Sequence, residues 1–248
     1  MDERIKILYT IPNFKTAGSQ YVLLALFRNI DKTIFDPYVC VENAPEAIPS
    51  AIPFNRRLVF GFGNDACNDV RAFRNILKEN NIELLHSWDY KSNYLEALAC
   101  KLSGVKYMYT KKNNTWSRRW KLKSILANYI AYDNPQMKQR FFNSRLFRNK
   151  IDFVPHGVDI DRFKPKKKTL RDTFNIGSIG NIGHNKNQLF ILQALKDLPT
   201  DVDLHLYGNE DVGYRAILDD YITQNNLDSR VHFHGFVENE HLPEIFGN

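Results

Sequence analysis

Short, uninterrupted apolar runs alternate along this chain with stretches whose apolar positions recur three and four residues apart. Ile5–Ile11 is a β-branched apolar run, the pattern of a parallel strand buried on both faces. Behind it, Val22, Leu23, Leu26, Phe27 and Ile30 share one face of a helix. Leu58–Phe60 precedes a helix with Val70, Phe73, Ile76 and Leu77 inward. Ile82–His86 precedes a helix over Asn93–Leu102, which stops at Gly104, a natural left-handed position after a helix. Val105–Tyr109 and Ile151–Val154 complete the first set. Strand and helix alternating in this way predict an α/β fold with a doubly wound parallel sheet.

A second set starts after Lys164–Lys168, an apolar-free run of four lysines and one proline that reads as a linker. The expected organisation is a Rossmann-like domain over 1–163, a linker over 164–172 and a second Rossmann-like domain over 173–248. In the latter, Phe174–Ile179, Val202–Tyr207 and Val231–His234 read as strands. Asn187–Lys196 and Tyr214–Asn225 read as helices, and Leu242–Phe246 opens one more. Three strands and two helices make half of a doubly wound domain, and an open sheet edge with bare apolar faces is a liability. The expectation is a polypeptide truncated at its C-terminus.

Charge changes this picture more than composition does. The chain is 43% hydrophobic and 25% charged, as in an ordinary soluble globular protein. Three scattered cysteines fit a reducing compartment. A charged N-terminus followed by a short apolar run predicts a first strand and no signal peptide, and Tyr21–Phe27 is too short to span a bilayer. A cytoplasmic protein is expected. The net charge is +6, and between Glu96 and Asp133 stand eight Lys or Arg residues and no acid. At the centre of that stretch are Lys111, Lys112, Arg118, Arg119, Lys121 and Lys123. Trp116 and Trp120 lie among them, four apart, which on a helix puts both indoles on one face beside the charges. An anionic acceptor or a membrane surface would suit such a face. Single-stranded nucleic acid is the weaker reading. The alternative is a solvated helix with its tryptophans turned inward.

Three turns could carry chemistry. Asn13–Gln20, between the first strand and helix, has small residues that let a ligand approach a helix N-terminus, but lacks a spaced-glycine dinucleotide fingerprint. His86–Lys91 stands at the carboxyl end of a strand; there Asp89 could act as an acceptor or weak base, or simply cap a helix above a packed Trp88. Gly180–Lys186 orders strand, glycines, lysine and helix as a diphosphate cradle would. Ile151–Pro165 and Ile176–Asn187 together predict a seam between two domains with an anion site on the second. No metal site is expected: the seven histidines are scattered, and His232 and His234 alternate about Phe233 in the manner of a pleated strand.

Taken together, these segments resemble GT-B glycosyltransferases, specifically the sugar-nucleotide-dependent family 4. Lys6–Ile30 is similar to that family's opening strand, turn and helix. Leu84–Leu102 is similar to its strand ending in histidines followed by an acid. Val154-Pro-His-Gly-Val-Asp159 with Arg162-Phe-Lys-Pro165 resembles its Pro-Asn-Gly-Val-Asp…Arg-Phe-Lys-Pro signature. Gly180–Gln188 resembles its Gly-Arg…Lys segment, and Arg230–Val237 its Arg-Val-x-Phe-x-Gly-Phe-Val run. The five motifs occur in collinear order over essentially the whole chain.

The resemblance implies a GT-B-like α/β fold of two Rossmann-type doubly wound domains, the second incomplete. It implies a retaining, metal-independent transferase that uses no cofactor. Such an enzyme would move a sugar from a nucleotide-diphosphate sugar to a cell-envelope glycan or lipid-linked acceptor, with peripheral membrane contact. Gly18 would face the donor diphosphate or the acceptor, Lys186 would hold the phosphates as negative charge builds, and Gly235, Phe236 and Val237 would lie near the nucleobase. Three departures stand out. Trp88 occupies the position of the family's second strand-end histidine, beside the transferred sugar, while His86 matches the first, structural one. Asn181 replaces a phosphate-binding arginine. A donor-binding Glu-x7-Glu loop would fall beyond Asn248, which leaves the activity of the chain as it stands an open question. The departures also fit a non-catalytic module that binds a partner or polyanion through Lys111–Lys123. A nucleotide-sugar epimerase shares the two-domain plan, but Pro155–Phe163 resembles the transferase signature better.

Overall fold

A computed structural model describes residues 4–15, 18–89, 91, 93–164 and 173–246. The chain forms two compact units, Met1–Gly157 and Val158–Asn248. The division lies ahead of the 163/164 boundary expected from the sequence. The guanidinium of Arg162 donates to the Asn239 carbonyl, and Phe163 meets Phe246 edge-on at 5.9 Å, so this segment packs with the second unit. Of the expected linker 164–172, all but Lys164 lies outside the described residues.

The first unit holds seven parallel strands: β1 (Ile5–Ile11), β2 (Phe35–Val41), β3 (Arg57–Val59), β4 (Leu84–Ser87), β5 (Lys106–Lys111), β6 (Tyr129–Tyr132) and β7 (Ile151–Phe153). Their order is β3-β2-β1-β4-β5-β6-β7. The helices are α1 (Ser19–Asn29), α2 (Ala66–Glu79), α3 (Leu95–Ser103), α4 (Arg118–Leu126) and α5 (Gln136–Phe141). Strand order reverses between β1 and β4, and the loops leaving those two strands diverge there, which opens a crevice at their carboxyl ends.

Local chemistry explains the helix boundaries. Asp65 caps α2 by accepting from Asn68 N–H at 3.1 Å, and Ser117 caps α4 by accepting from Trp120 N–H at 3.3 Å. Gly104 ends α3 in the left-handed conformation, φ 77°. The buried face of α1 is rotated from the one expected: Leu23, Leu24 and Phe27 are buried and Leu26 is exposed. Strand β2 contains Pro37, which is paired with Ile7 of β1. Strand β3 reaches only Val39–Val41, so Pro37 lies where β2 has no neighbour on its other side and its missing N–H costs no ladder bond.

The second unit has a three-stranded parallel sheet, ordered β10-β9-β8, from β8 (Phe174–Ile179), β9 (Val202–Tyr207) and β10 (Val231–Phe233). Its helices are α6 (Gln188–Lys196), α7 (Val212–Gln224) and α8 (Leu242–Phe246). Val202, Leu204 and Leu206 of β9 pack with Leu192 and Leu195 of α6 and Leu218 and Ile222 of α7. The alternate residues of β9, Asp203, His205 and Tyr207, lie on the other, half-buried face.

Candidate functional site

In the second unit every strand runs out onto a glycine with positive φ: Gly180 (144°) after β8, Gly208 (149°) after β9 and Gly235 (70°) after β10. Their backbones meet. Gly180 N–H donates to the Tyr207 carbonyl at 2.8 Å, and Gly208 N–H to the Gly235 carbonyl at 2.7 Å. The turn behind Gly180 is held by the buried side chain of Gln188. Its Nε2 donates to the Asn181 carbonyl at 3.1 Å, and its Oε1 accepts from Gly183 N–H at 3.2 Å. Lys186 is exposed, and its Cε lies 3.7 Å from the point where a Cβ on Gly180 would stand. The lysine therefore crosses the glycine edge, and its ammonium pairs with no carboxylate among the described residues. Asn181 is exposed on the same turn, and Phe236, half exposed, follows Gly235 with Val237 beside it. Bare backbone beside a cation at the carboxyl edge of a parallel sheet suits a phosphate-bearing ligand.

The sequence-predicted residues of this unit, Asn181, Lys186, Gly235, Phe236 and Val237, are thus gathered at one edge. Gly208, which joins the two turns, was not anticipated. A lone glycine after a strand is an ordinary turn signal, and only the close approach of the Gly180 carbonyl reveals its purpose.

In the first unit, Gly18 precedes α1 with φ 78° and ψ −94°, and a Cβ there would meet nothing within 4 Å. Glycine serves the backbone conformation at this point. Ala17 lies outside the described residues. Across the β1/β4 switch, Trp88 N–H donates to the Thr10 carbonyl at 2.8 Å. The Trp88 side chain is 3% exposed and packs into the apolar cluster of Ile7, Tyr9, Ile11 and Leu23. Lys112 secures it from the other side: its ammonium donates to the Trp88 carbonyl at 2.5 Å and lies 4.6 Å from the indole centroid. Asp89 is half-buried and accepts from Lys91 N–H at 2.9 Å. It faces a cleft of about 110 Å³ lined also by Thr10, Glu42, Phe60, Phe62 and Lys91. Of the two strand-end residues, Asp89 is the one that borders open space.

His86 is buried, with Nε2 2.9 Å from the Thr110 hydroxyl. Burial, reinforced by Lys112, pushes its pKa down to about 3, so it stands neutral in the fold. His156, from the Pro-His-Gly turn, lies 3.1 Å from Asp133 and 6.1 Å from the Trp88 ring. That pairing was not foreseen, since Asp133 follows a strand the periodicity does not mark.

The basic stretch corrects the expectation that both indoles share one helix face beside the charges. Lys111 and Lys123 are both 0% exposed. Their ammonium groups lie 4.0 and 5.2 Å from the Trp120 ring, and Lys123 donates to the Lys91 carbonyl at 3.2 Å. Burial lowers the pKa of Lys111 to about 8, with Lys123 adding to the effect; burial likewise brings Lys112 to about 8. Trp116 lies before α4 and stacks on Phe141 at 5.1 Å, so the two indoles do not share an exposed helical face. Arg118, Arg119 and Lys121 remain exposed, together with Leu122 and Ile125. Lys150 caps the C-terminus of α4 through the carbonyls of Ser124, Ile125 and Ala127 at 2.7, 3.0 and 2.8 Å. Among the described residues no helix is long and apolar enough to cross a membrane.

Three comparisons extend this picture. The chain is 27% identical over 271 aligned positions to the putative glycosyltransferase EpsF of Bacillus subtilis, covering 95% of this chain and 70% of EpsF. Its fold matches that of HepE from Anabaena, in a crystal structure with UDP and glucose, at a TM-score of 0.79 and 18% identity, covering 98% of this chain and 72% of that one. A putative UDP-N-acetylglucosamine 2-epimerase from Listeria monocytogenes matches at a TM-score of 0.62 and 13% identity, covering 98% and 71%. The fold is thus GT-B-like, and fold alone is shared by transferase and epimerase. Residues 16–162, more than half of the chain, match the model of Glycosyltransferase Family 4. The chain belongs to Glycosyltransferase Family 4.

Proposed function

We propose that this chain transfers a sugar from a uridine-diphosphate sugar to a cell-envelope glycan or lipid-linked acceptor, with retention of configuration and without a catalytic metal. The observation that carries the donor reading is the course of Lys186 over Gly180, at an edge where three glycine backbones meet. A leaving diphosphate gains negative charge as the glycosidic bond breaks. A cation already in place then stabilises the transition state more than the ground state. The binding of UDP and glucose by HepE supports uridine as the base. Gly18 and Asp89, at the β1/β4 switch of the first unit, are the residues offered to acceptor or transferred sugar. Trp88 is assigned a packing role beneath them, since its side chain is buried.

The acceptor reading rests on α4. Arg118, Arg119 and Lys121 are exposed next to Leu122 and Ile125, a face suited to an anionic, lipid-bearing surface on the cytoplasmic side of a membrane. The non-catalytic polyanion reading loses support, because Lys111 and Lys123 are not available to a partner. UDP release should be measured across a panel of UDP-sugars, with lipid-linked acceptors and no added Mg²⁺ or Mn²⁺, and the product's anomeric configuration assigned by NMR. Acceptor-dependent release with the donor's configuration kept supports the proposal. No acceptor-dependent release, inversion, or a requirement for added divalent metal contradicts it.

A further inference from the structure

The half-buried face of the second sheet carries a cluster of imidazoles that the transfer reaction does not use. In the parallel register of β9 and β10, His232 stands directly opposite His205. Because side chains alternate along a strand, Asp203, His205, His232 and His234 all project from this one face. The His205 ring lies between the other two imidazoles, with centroids 4.7 Å from His232 and 5.2 Å from His234, both stacked. The Nδ1 of His205 is 2.9 Å from Nε2 of His234, and Nε2 of His232 is 3.8 Å from Oδ2 of Asp203. Ligand atoms of Asp203, His205 and His232 all lie within 4.8 Å of one another.

Hydrogen bonding orients the His205 ring. Its Nε2 is 3.0 Å from Oδ1 of Asn175 on β8, and that oxygen can only accept. With that oxygen accepting, Nε2 is the protonated nitrogen and Nδ1 faces His234. A metal-bound imidazole is oriented in this way, with its far N–H anchored on an oxygen in a neighbouring element. Tetrahedral zinc with bonds of roughly 2.0–2.1 Å to nitrogen keeps its ligand atoms about 3.4 Å apart, a spacing bracketed by the 2.9 and 3.8 Å separations above.

We propose that Asp203, His205, His232 and His234 form a structural site for Zn²⁺ that ties β10 to β9. It lies on a sheet face, whereas the glycines proposed to hold the donor lie at the sheet's carboxyl edge, so it does not depend on the transferase reading.

The test is titration of the full chain, free of any polyhistidine tag, with Zn²⁺ by calorimetry and with Co²⁺ by visible absorption. One equivalent of bound metal and the intense ligand-field bands of tetrahedral cobalt are expected. His205→Gln and His232→Ala should each weaken binding at least tenfold, and Asn175→Ala, which frees the orienting bond, about 10–100-fold. His241→Ala, outside the cluster, should leave affinity unchanged. Asn175 is not itself a ligand, so its variant keeps the test decisive if a histidine variant fails to fold. Absence of binding at millimolar Zn²⁺, or affinity unaltered in His205→Gln, His232→Ala and Asn175→Ala, overturns the proposal.

Discussion

A Cβ placed on Gly208 would stand 2.1 Å from the carbonyl oxygen of Gly180. Real Cβ atoms do not approach backbone so closely, and Gly208 also has a φ of 149°. The two turns at the carboxyl ends of β8 and β9 can therefore touch only because one of them lacks a side chain.

Gly208→Ala should accordingly destabilise the protein by about 3 kcal/mol or more, since backbone must move and a strained φ is forced on alanine. Gly177→Ala is the control: it lies in β8 with nothing within 4 Å of its would-be Cβ. That change should stay within about 1 kcal/mol. Urea unfolding of both variants measures the difference.

Lys123 is a buried amine whose stem and ammonium pack against Tyr109 and Trp120. Truncation in Lys123→Ala leaves a cavity beside Tyr109 and Trp120, an expected loss of about 2 kcal/mol or more. Lys123→Met keeps the volume and removes the desolvated charge, so it should cost less than about 1.5 kcal/mol. Arg119→Ala, on the exposed side of α4, should fall within about 0.5 kcal/mol. Equal effects at positions 119 and 123 would contradict the division of this stretch into buried and exposed cations.

His86 gives a pH dependence of definite sign. Its pKa is about 3 in the fold and about 6.5 in an unfolded chain. Above pH 6.5 both states are neutral and no penalty applies. As pH falls below 6.5 the unfolded state takes up a proton that the native state refuses, so stability is lost toward pH 3, with a limiting slope of about 1.4 kcal/mol per pH unit. Between pH 6.5 and 5, where carboxylates stay mostly ionised, unfolding free energies should fall in the wild type and fall less steeply in His86→Gln.

Much of the architecture was legible because the strands read either as a buried apolar run, as in Ile5–Ile11, or as an alternation of apolar and polar positions, as in Val202–Tyr207. Ile5–Ile11, Phe174–Ile179 and Val202–Tyr207 form strands with the expected limits. β2 was hidden by Pro37, which a one-sided stretch of strand tolerates. β6 was hidden by its shortness and by the polar residues around it. The donor-edge residues were legible as glycines and a lysine in order, whereas Gly208 and the Asp133–His156 pair depend on which strand ends lie side by side. The basic stretch misled because composition does not say which way a lysine points: Lys111 and Lys123 turn inward onto Trp120. The His232/His234 alternation was visible as a strand pattern, but the β9/β10 register that sets His205 against His232 was not.

The most direct measurement is calorimetric titration of UDP into the wild-type chain and into Lys186→Ala, at two ionic strengths. Lys186 is exposed and bears on no packing, so the variant should unfold at the wild-type temperature. Loss of the Lys186 ammonium from the glycine edge should weaken UDP at least tenfold, about 1.4 kcal/mol or more, and flatten the salt dependence of binding. Equal UDP affinity in the two proteins, or no UDP binding by the wild type, would contradict the assignment of that edge to the donor diphosphate.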